Sequence, residues 1–387
     1  MKSVIPKVNI YIKTIFICID WFHPAYKAGG PVQSVANLVA QYDHKDVEFR
    51  IFTSAADLDG TVNEGVQFDA WNRYNGNTMV WYASTNRRSL EAMKREINNC
   101  GADILFIVGV FSWYFKQVHL ALYKVPVKII SARGMLHPGA LSQKSLKKKI
   151  YLAFWKMAGI THRYFFHATD MQEKGFIQQV FGKKAKVFVA GNFPHVFTLQ
   201  PATHKSAGSL QMVSIALISS MKNISIVLDA LQQCSSRIVY DIYGPVKDEA
   251  YWQQCLEKIK ELPANIRVTY KGDIIPTKIE QVLTNYEIFI LPSKSENFGH
   301  AIYEALSAGK PVITSHHTPF NNLSDHKAGQ NVSVQSVPEI TAAIDFFAAM
   351  AQDEFSDWNI GANNYAIKQI DTNKIKVQYD EMFGVGG

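Results

Sequence analysis

The sequence predicts an α/β protein with two doubly wound domains that face each other across a cleft. Apolar strand-like runs alternate with helical patterns along both halves of the chain, which is typical of parallel α/β sheets. The chain has 387 residues, more than one hydrophobic core usually organises. A polar stretch with Pro and Gly interrupts the alternation near the middle, so we place a linker there.

The first half of the chain predicts a parallel sheet covered by helices. The run DILFIVGVF is almost continuously apolar, as expected for a central strand buried on both faces. Strands are predicted at residues 15–20, 47–53, 79–84, 103–111 and 127–134, and helices at residues 34–42 and 89–99.

The alternation resumes after the polar stretch TLQPATHKSAGSLQ. Strands are predicted at residues 212–218, 237–244, 266–272, 287–292 and 311–315, and helices at residues 224–234, 248–262, 279–286, 300–309 and 373–383. We therefore expect an N-terminal Rossmann-like domain over residues 1–198 and a C-terminal Rossmann-like domain over residues 209–365. Residues 366–387 are expected to form a C-terminal helix that packs back on the N-terminal domain.

Charge and cysteine content narrow the classes of partner and compartment. The formal net charge of +7 suits a phosphate-bearing ligand or an anionic membrane surface, and no nucleic-acid motif accompanies it. The four cysteines form no CxxC and no zinc spacing, which indicates reduced thiols in a cytoplasmic protein. Residues 8–19 are apolar but too short to span a bilayer, so we interpret them as a buried strand rather than a signal peptide.

A basic, aromatic stretch offers a possible membrane contact. KSLKKKIYLAFWKMA combines Lys144 and Lys147 with Phe154 and Trp155. Such a helix can rest on an anionic bilayer. A solvated basic face beside a core face explains the pattern equally well.

Two glutamates stand out in the segment SKSENFGHAIYEALSAGKPVITS. Glu296 lies in a loop and Glu304 lies about one turn into a helix expected to begin near Gly299. The amides of Phe298, Gly299 and His300 would then be helix-start donors, suited to an anion. Either glutamate alone is more simply explained as a solvated carboxylate or as a complement to the helix dipole. Together they indicate a phosphate flanked by two polyols, which is a nucleotide-sugar.

A lysine follows the first strand of the second domain, and a pair of glycines follows the first strand of the first domain. Lys222 precedes Asn223, a favourable N-cap, and a lysine beside a helix start favours phosphate, although an ordinary surface lysine competes. Gly29 and Gly30 let the backbone approach a ligand before a helix expected at Ser34. The spacing is not GxGxxG, so no dinucleotide site is predicted, and a plain Gly-Gly-Pro turn is an equal alternative.

The segment SARGMLHPGALSQ supplies two further candidates. Arg133 could neutralise phosphate, and His137 could bind the acceptor or a sugar hydroxyl. Alternatively, the Arg133 side chain is solvated and the His137 side chain is packed against its neighbours. For His137 we prefer the packed alternative.

These motifs together resemble a known family. The segment LPSKSENFGHAIYEALSAGKPVI is similar to the signature of retaining GT-B glycosyltransferases, in particular family 4, the glycosyl transferases group 1. That signature has two glutamates separated by seven residues, after an apolar strand and a Pro-Ser. The resemblance extends over most of the chain, and SARGML is similar to a segment of a branch that builds bacterial surface polysaccharides.

The resemblance implies that residues 1–198 form the acceptor domain and residues 209–365 the nucleotide-sugar donor domain. It also implies roles for individual residues. Glu304 would bind the donor ribose, Glu296 the hydroxyls of the transferred sugar, and the amides of residues 298 and 299 the sugar or diphosphate. The Gly-Gly loop would lie against the diphosphate and acceptor. The implied donor-binding set is Gly29, Gly30, Lys222, Glu296, Asn297, Phe298, Gly299, His300 and Glu304, with Glu296 and Lys222 as the catalytic residues.

One position departs from the family pattern. The family usually has an arginine five residues before the Lys222 position, and Leu217 stands there. One cation fewer would then meet the leaving group. We therefore expect compensation by Arg133 or another residue, or a weakened activity.

The expected function is a retaining, hexosyltransferase-type glycosyltransferase that moves a sugar from a nucleoside diphosphate sugar to a saccharide or lipid-linked acceptor. The resemblance implies a place in lipopolysaccharide, capsule or exopolysaccharide synthesis, with the protein cytoplasmic or at the inner face of the membrane. The alternatives are a catalytically weakened relative that binds a nucleotide-sugar and a GT-B nucleotide-sugar epimerase. No cofactor, nucleic acid or metal is expected, and the DxD at Asp57 and Asp59 is interpreted as a solvated turn.

Overall fold

The computed structural model describes residues 12–42, 47–114, 125–142, 145–200 and 205–385, which form two compact units. The described residues of 1–25, 34–193 and 373–387 belong to the first unit. Residues 26–33 and the described residues of 194–372 belong to the second. Lys144 of the basic stretch lies outside the described residues.

The first unit contains a sheet in which every strand pair but one is parallel. The strands are β1 (Lys13–Cys18), β2 (Val47–Ser54), β3 (Trp71–Arg73), β4 (Thr78–Ala83), β5 (Ile104–Val108), β6 (Val127–Ser131), β7 (Phe165–Ala168) and β8 (Val187–Val189). Their order is β3-β4-β2-β1-β5-β6-β7-β8, and only the edge strand β3 is antiparallel to its neighbour. The order reverses beside β1, as in doubly wound sheets.

Helices follow the strands of the first unit. They are α1 (Gly30–Ala40), α2 (Leu90–Asn99), α3 (Pro138–Ser142), α4 (Ser145–Met157), α5 (Ile160–Arg163) and α6 (Met171–Phe181), with α13 (Thr372–Phe383) at the end of the chain. Residues 30–33 of α1 and Thr372 of α13 belong to the second unit. The helix expected at Ser34 begins four residues earlier, at Gly30. Pro31 lies in its first turn, where a proline has no hydrogen bond to lose.

The second unit contains a fully parallel sheet. Its strands are β9 (Ser209–Ile215), β10 (Arg237–Tyr243), β11 (Ile266–Tyr270), β12 (Ile288–Leu291), β13 (Val312–Ser315) and β14 (Gly329–Val332), in the order β11-β10-β9-β12-β13-β14. Its helices are α7 (Ile224–Leu231), α8 (Glu249–Lys260), α9 (Ile279–Leu283), α10 (His300–Ser307), α11 (Val337–Ala349) and α12 (Gln352–Gln369). The predicted doubly wound α/β class is confirmed in both units.

Both faces of the second sheet are covered by helices. Successive strand residues point to opposite faces. Met212 accordingly packs in a cluster with α7, α8 and α11, whereas Val213 packs in a second cluster with α10 and α12. This double burial explains why the strands are nearly continuous apolar runs. Among the described residues, no helix combines the length and apolarity needed to cross a membrane.

Three ionisable side chains are buried at the amino edge of the second sheet: Lys205, Glu287 and Lys310. Glu287 accepts a hydrogen bond from the Gln211 amide at 2.7 Å. The Lys310 side chain is 1% exposed, and its Nζ has no hydrogen-bond partner among the described residues. Burial lowers the pKa of the Lys310 ammonium to about 8, although the nearby Glu287 carboxylate raises it. The charged Lys310 side chain therefore destabilises the folded state.

Lys310→Met should stabilise the protein. The unfolded chain holds the lysine proton with a pKa of 10.5, against about 8 when folded. The buried ammonium therefore lowers the free energy of unfolding by its full amount below pH 8, and this loss of stability disappears as the pH rises towards 10.5. We expect the free energy of unfolding to increase by about 1–3 kcal/mol at pH 7, and the gain to shrink at pH 10. Urea unfolding at both pH values measures it.

Lys205→Met is the matched control. The Lys205 ammonium donates to the carbonyls of Ser206, Ser209 and Ala348, so its removal loses three charge-assisted hydrogen bonds and should destabilise the protein. If Lys310→Met destabilises the protein as Lys205→Met does, the Lys310 ammonium is not a cost to the folded state.

Candidate active site

The candidate site lies where the strand order of the second sheet reverses. β9 and β12 are adjacent and parallel, so the loops that follow them emerge side by side at the carboxyl edge. Ligands of open α/β sheets bind at such a switch point. The Lys294 amide donates to the Met221 carbonyl at 2.9 Å, and the Asn223 side chain donates to the Pro292 carbonyl at 3.3 Å. These bonds fix the two loops against each other.

The two loops bring Lys222 and Glu296 into an ion pair. The Lys222 Nζ lies 2.5 Å from the Glu296 Oε1, and the Ser293 hydroxyl donates to the same oxygen at 2.7 Å. The Glu296 amide donates to the His317 carbonyl at 3.1 Å, which anchors the loop backbone. An ammonium has three N–H donors and this contact uses one of them. The pair can therefore still donate to an anion.

A helix start with unused donors lies beside this pair. Helix α10 begins at His300, as predicted, and Gly299 before it has a left-handed φ of 80°. A β-carbon at Gly299 would lie 3.3 Å from the Ile302 and Phe320 side chains and 3.7 Å from the Glu296 β-carbon. The amides of Phe298 and Gly299 donate to no acceptor among the described residues. The position thus requires glycine, and its amides can receive an anion.

Glu304 is a buried carboxylate on α10. Its side chain is 5% exposed, and none of the described residues donates a hydrogen bond to its carboxylate. Burial raises the pKa of Glu304 to about 8. A buried carboxylate without donors is costly, so a ligand that brings hydroxyl donors would relieve the cost.

Aromatic rings line the start of α10. The Phe298 ring centroid lies 4.5 Å from that of His300, and the Phe298 ring also contacts Tyr303 and Phe320. Asn297 precedes Phe298 in the same loop. These contacts pack the loop against the start of the helix.

The Gly-Gly loop belongs to the second unit and lies beside His300. A β-carbon at Gly30 would be 3.9 Å from the His300 Cδ2, and Gly29 has a left-handed φ of 73°. The Lys27 Nζ lies 3.2 Å from an Asp273 carboxylate oxygen, which holds the loop. The structure therefore brings Gly29 and Gly30 to the end of the helix that carries Glu304.

Arg133 and His137 lie in the first unit, and neither is a free surface side chain. Arg133 is buried with a left-handed φ of 51°, and its guanidinium donates to the Asn192 side chain. The solvated alternative for Arg133 is therefore wrong. His137 accepts a hydrogen bond from the Gly139 amide at 3.1 Å and packs edge-on against Phe176, so its packed alternative fits the contacts.

Asn223 occupies the N-cap position of α7, as expected, but it does not cap the helix with its side chain. Asn223 has a left-handed φ of 60°, and its side chain makes no capping bond to α7. It donates instead to the carbonyls of Pro292 and Val334, because tying the loops together uses the same amide group. The Ser225 amide of α7 donates to the Tyr251 hydroxyl at 2.8 Å. The start of α7 is therefore less open to an anion than the start of α10.

The Asp57-Leu58-Asp59 turn is only partly solvated. Asp57 is buried and accepts from the Leu58 amide at 2.6 Å, while Asp59 accepts from the Thr61 amide at 3.0 Å. These bonds are those of a tight turn. Within the described part of the chain, no group of three or more His, Cys, Asp or Glu is placed to hold a metal ion.

Two contributors to the site were missed from the sequence. Ser293 orients Glu296, and Asn223 joins the loops rather than a helix. The Pro-Ser pair before the first glutamate indicated that Ser293 is part of the motif. Its hydrogen bond to Glu296, however, could be found only in the folded structure. The site as a whole offers a cation, helix-start amides and two carboxylates, a combination suited to an anion that carries hydroxyl groups.

Comparison with known proteins finds a family model that covers the residues of this site. Residues 197–356, which include Lys222, Glu296 and Glu304, match the family model described as "Glycosyl transferases group 1". A 130-residue segment is 25% identical to the UDP-N-acetylglucosamine–peptide N-acetylglucosaminyltransferase GtfA subunit of Streptococcus parasanguinis, covering 33% of this chain and 24% of that protein. The chain thus spans about a quarter or less of the length of the curated relatives it matches.

Solved structures match the whole fold at low sequence identity. Sucrose-phosphate synthase from Thermosynechococcus elongatus superposes with a TM-score of 0.73 at 16% identity, covering 96% of this chain and 98% of the other. HepE from Anabaena, solved with UDP and glucose, superposes with a TM-score of 0.69 at 14% identity, covering 96% and 99%. The chain therefore has the GT-B fold of these structures, and its residues 197–356 match the model of the group 1 glycosyl transferases.

Proposed function

We propose that the protein is a glycosyltransferase that moves a sugar from a nucleoside diphosphate sugar to a saccharide or lipid-linked acceptor. One observation carries the proposal: the Lys222–Glu296 pair and the open amides of residues 298 and 299 adjoin the helix that buries Glu304. The family match over these residues supports it, as do the donor named for the GtfA subunit and the UDP bound to HepE.

The roles implied by the resemblance give the donor an orientation in this site. The diphosphate lies against the amides of Phe298 and Gly299 and the Lys222 ammonium, because these are the anion-binding groups. The ribose hydroxyls donate to the buried Glu304 carboxylate. Glu296, already oriented by Lys222 and Ser293, accepts from hydroxyls of the transferred sugar.

The reaction needs stabilisation of the leaving group. As the sugar–phosphate bond breaks, negative charge grows on the β-phosphate, where the helix-start amides and Lys222 donate. The acceptor hydroxyl attacks from the same face of the sugar and passes its proton to a departing phosphate oxygen, so the anomeric configuration is retained. These fixed donors supply the charge stabilisation without a metal. The similarity of SARGML to a polysaccharide-building branch makes a surface-polysaccharide acceptor the proposed substrate.

Leu217 favours a second candidate, a weakened relative that binds a nucleotide-sugar. It follows β9 and is a half-buried apolar side chain where the family usually has an arginine. Lys294, exposed in the neighbouring loop, is a further cation of these loops that could compensate. An epimerase, the third candidate, would need no acceptor. Acceptor-dependent release of nucleotide separates the transferase from the other two candidates, and a free or epimerised sugar formed without acceptor identifies the epimerase.

Removing either member of the ion pair should lower turnover. Lys222→Met removes a donor to the leaving phosphate, and Glu296→Gln removes the oriented carboxylate. We expect kcat to fall on the order of 10²-fold in each variant, because both groups act on the transition state. Release of nucleoside diphosphate in the presence of acceptor measures it.

The exposed pair between Lys260 and Glu257 provides the control, since it is also an ion pair of the second unit. Lys260→Met and Glu257→Gln should keep the parent rate. Parent turnover in both Lys222→Met and Glu296→Gln would refute the assignment.

Donor binding should depend on pH through Glu304. Its pKa of about 8 without ligand means that the carboxyl is mostly protonated at pH 6. Ribose hydroxyls stabilise the ionised form, so binding releases a proton, and affinity should rise on the order of tenfold between pH 6 and about 8. The ligand is the nucleoside diphosphate sugar that raises the melting temperature of the protein most. Calorimetric titration with this ligand at each pH measures how the affinity changes with pH.

Glu304→Gln is the comparison, because glutamine has the same shape and does not titrate. Its affinity should be lower at pH 8 and nearly independent of pH. A variant that keeps the slope of the parent would show that Glu304 does not bind the ribose.

Leu217→Arg should restore the missing cation. If the family arrangement applies, the added guanidinium meets the diphosphate, and kcat/KM should increase about tenfold. Leu217→Gln, similar in length to leucine but uncharged, is the control. No gain from Leu217→Arg would mean that other residues already supply the charge.

A further inference from the structure

Helix α4 of the first unit exposes an apolar stripe. Leu146 is 71% exposed, Ile150 63%, Phe154 55% and Met157 81%. These residues are spaced by four, four and three positions, so they lie on one face of the helix. Its opposite face packs in the unit's core through Leu152 and Trp155. The helix is therefore held in place by one apolar face and presents a second one outward.

Exposed lysines border the stripe on both sides. At about 100° per residue, Lys147 falls on one edge of the stripe, and Lys149 and Lys156 fall on the other. All three are exposed. Lys148 is different, because its ammonium donates to the Ala140 carbonyl at 2.5 Å and lies over the Phe111 ring. The outward face is thus an apolar centre between two basic edges.

The surrounding sequence carries charge of one sign only. Residues 104–169 contain ten Lys or Arg and no Asp or Glu. The described part of this stretch includes helix α4, so no acidic side chain of its own segment neutralises the helix. A negatively charged partner is needed to complement such a surface.

We propose that this face of α4 is a docking site for an anionic lipid bilayer. The apolar side chains enter the boundary between headgroups and acyl chains, and the lysine stems extend outward so that their ammonium groups meet lipid phosphates. The helix of 13 residues is about 20 Å long and lies along the surface. A second copy fits poorly, because pairing this face with itself opposes its basic edges.

The inference goes beyond the proposed function and does not depend on the donor site. A bilayer at α4 would hold the first unit at the surface where lipid-linked saccharides reside. Vesicle binding needs neither donor nor acceptor, so its outcome is separate from that of the glycosyl transfer assays.

Vesicle flotation of the full chain tests the proposal. The probes are vesicles of phosphatidylcholine alone and vesicles that contain about equal parts of phosphatidylcholine and phosphatidylglycerol. We expect binding to the anionic vesicles, weakening as salt is raised. The triple variant Leu146→Gln, Ile150→Gln, Phe154→Gln should bind at least about tenfold less, as should Lys147→Gln, Lys149→Gln, Lys156→Gln.

Two control variants lie in the second unit. Ile360→Gln with Ile367→Gln removes exposed apolar side chains of α12. Lys260→Gln, Lys327→Gln and Lys368→Gln remove the same number of charges as the lysine variant. Both controls should bind as the parent does, and unchanged circular dichroism and melting temperature establish that every variant is folded.

Three outcomes would overturn the proposal. One is equal binding of the parent to neutral and anionic vesicles, or to neither. Another is parent-like binding by both α4 variants. The third is a dimer in light scattering that both α4 variants dissociate, which would make a second copy the occupant.

Discussion

The Lys222–Glu296 ion pair depends on the reversal of strand order between β9 and β12. The two residues are 74 positions apart, and only adjacency of two parallel strands puts their loops at one edge. The backbone bond from Lys294 to Met221 and the Asn223 side chain then hold the loops at a fixed separation. The Ser293 hydroxyl donates to the same Glu296 oxygen as the Lys222 ammonium, so residues of both loops hold this carboxylate.

Two buried ionisable groups without partners lie at opposite edges of the second sheet. Lys310 precedes β13 at the amino edge, and Glu304 lies on α10, which follows β12 at the carboxyl edge. Both side chains lose hydration on burial. Burial therefore raises the pKa of Glu304 and lowers the pKa of Lys310, which favours the neutral form of each group. The difference lies in position, because a polar ligand at the switch point can hydrogen-bond to Glu304. The burial of Glu304 is therefore compatible with a binding role, whereas the burial of Lys310 is offset only in part by the nearby Glu287 carboxylate.

Local pattern was a good guide wherever neighbours in sequence decide the structure. The alternation of apolar runs predicted the doubly wound class, and the Phe-Gly before the apolar helix predicted the start of α10. Pattern was a poor guide for side chains with several possible partners. Asparagine is favoured as an N-cap, but the side-chain amide of Asn223 donates to another loop instead of capping α7. Arg133 is buried rather than solvated. An asparagine or arginine offers several donors, and which acceptors they meet is set by distant segments.

The sequence by itself determined the secondary-structure alternation, the glycine at the helix start and the presence of two glutamates eight positions apart, because these depend on local sterics and on hydrophobic periodicity. The tertiary structure decided which charges meet. It paired Lys222 with Glu296, left the Glu304 carboxylate without a donor among the described residues, and turned a second apolar face of α4 outward. Ion pairing and burial depend on separations of a few ångströms between segments far apart in the chain, and those separations exist only once the sheets have formed.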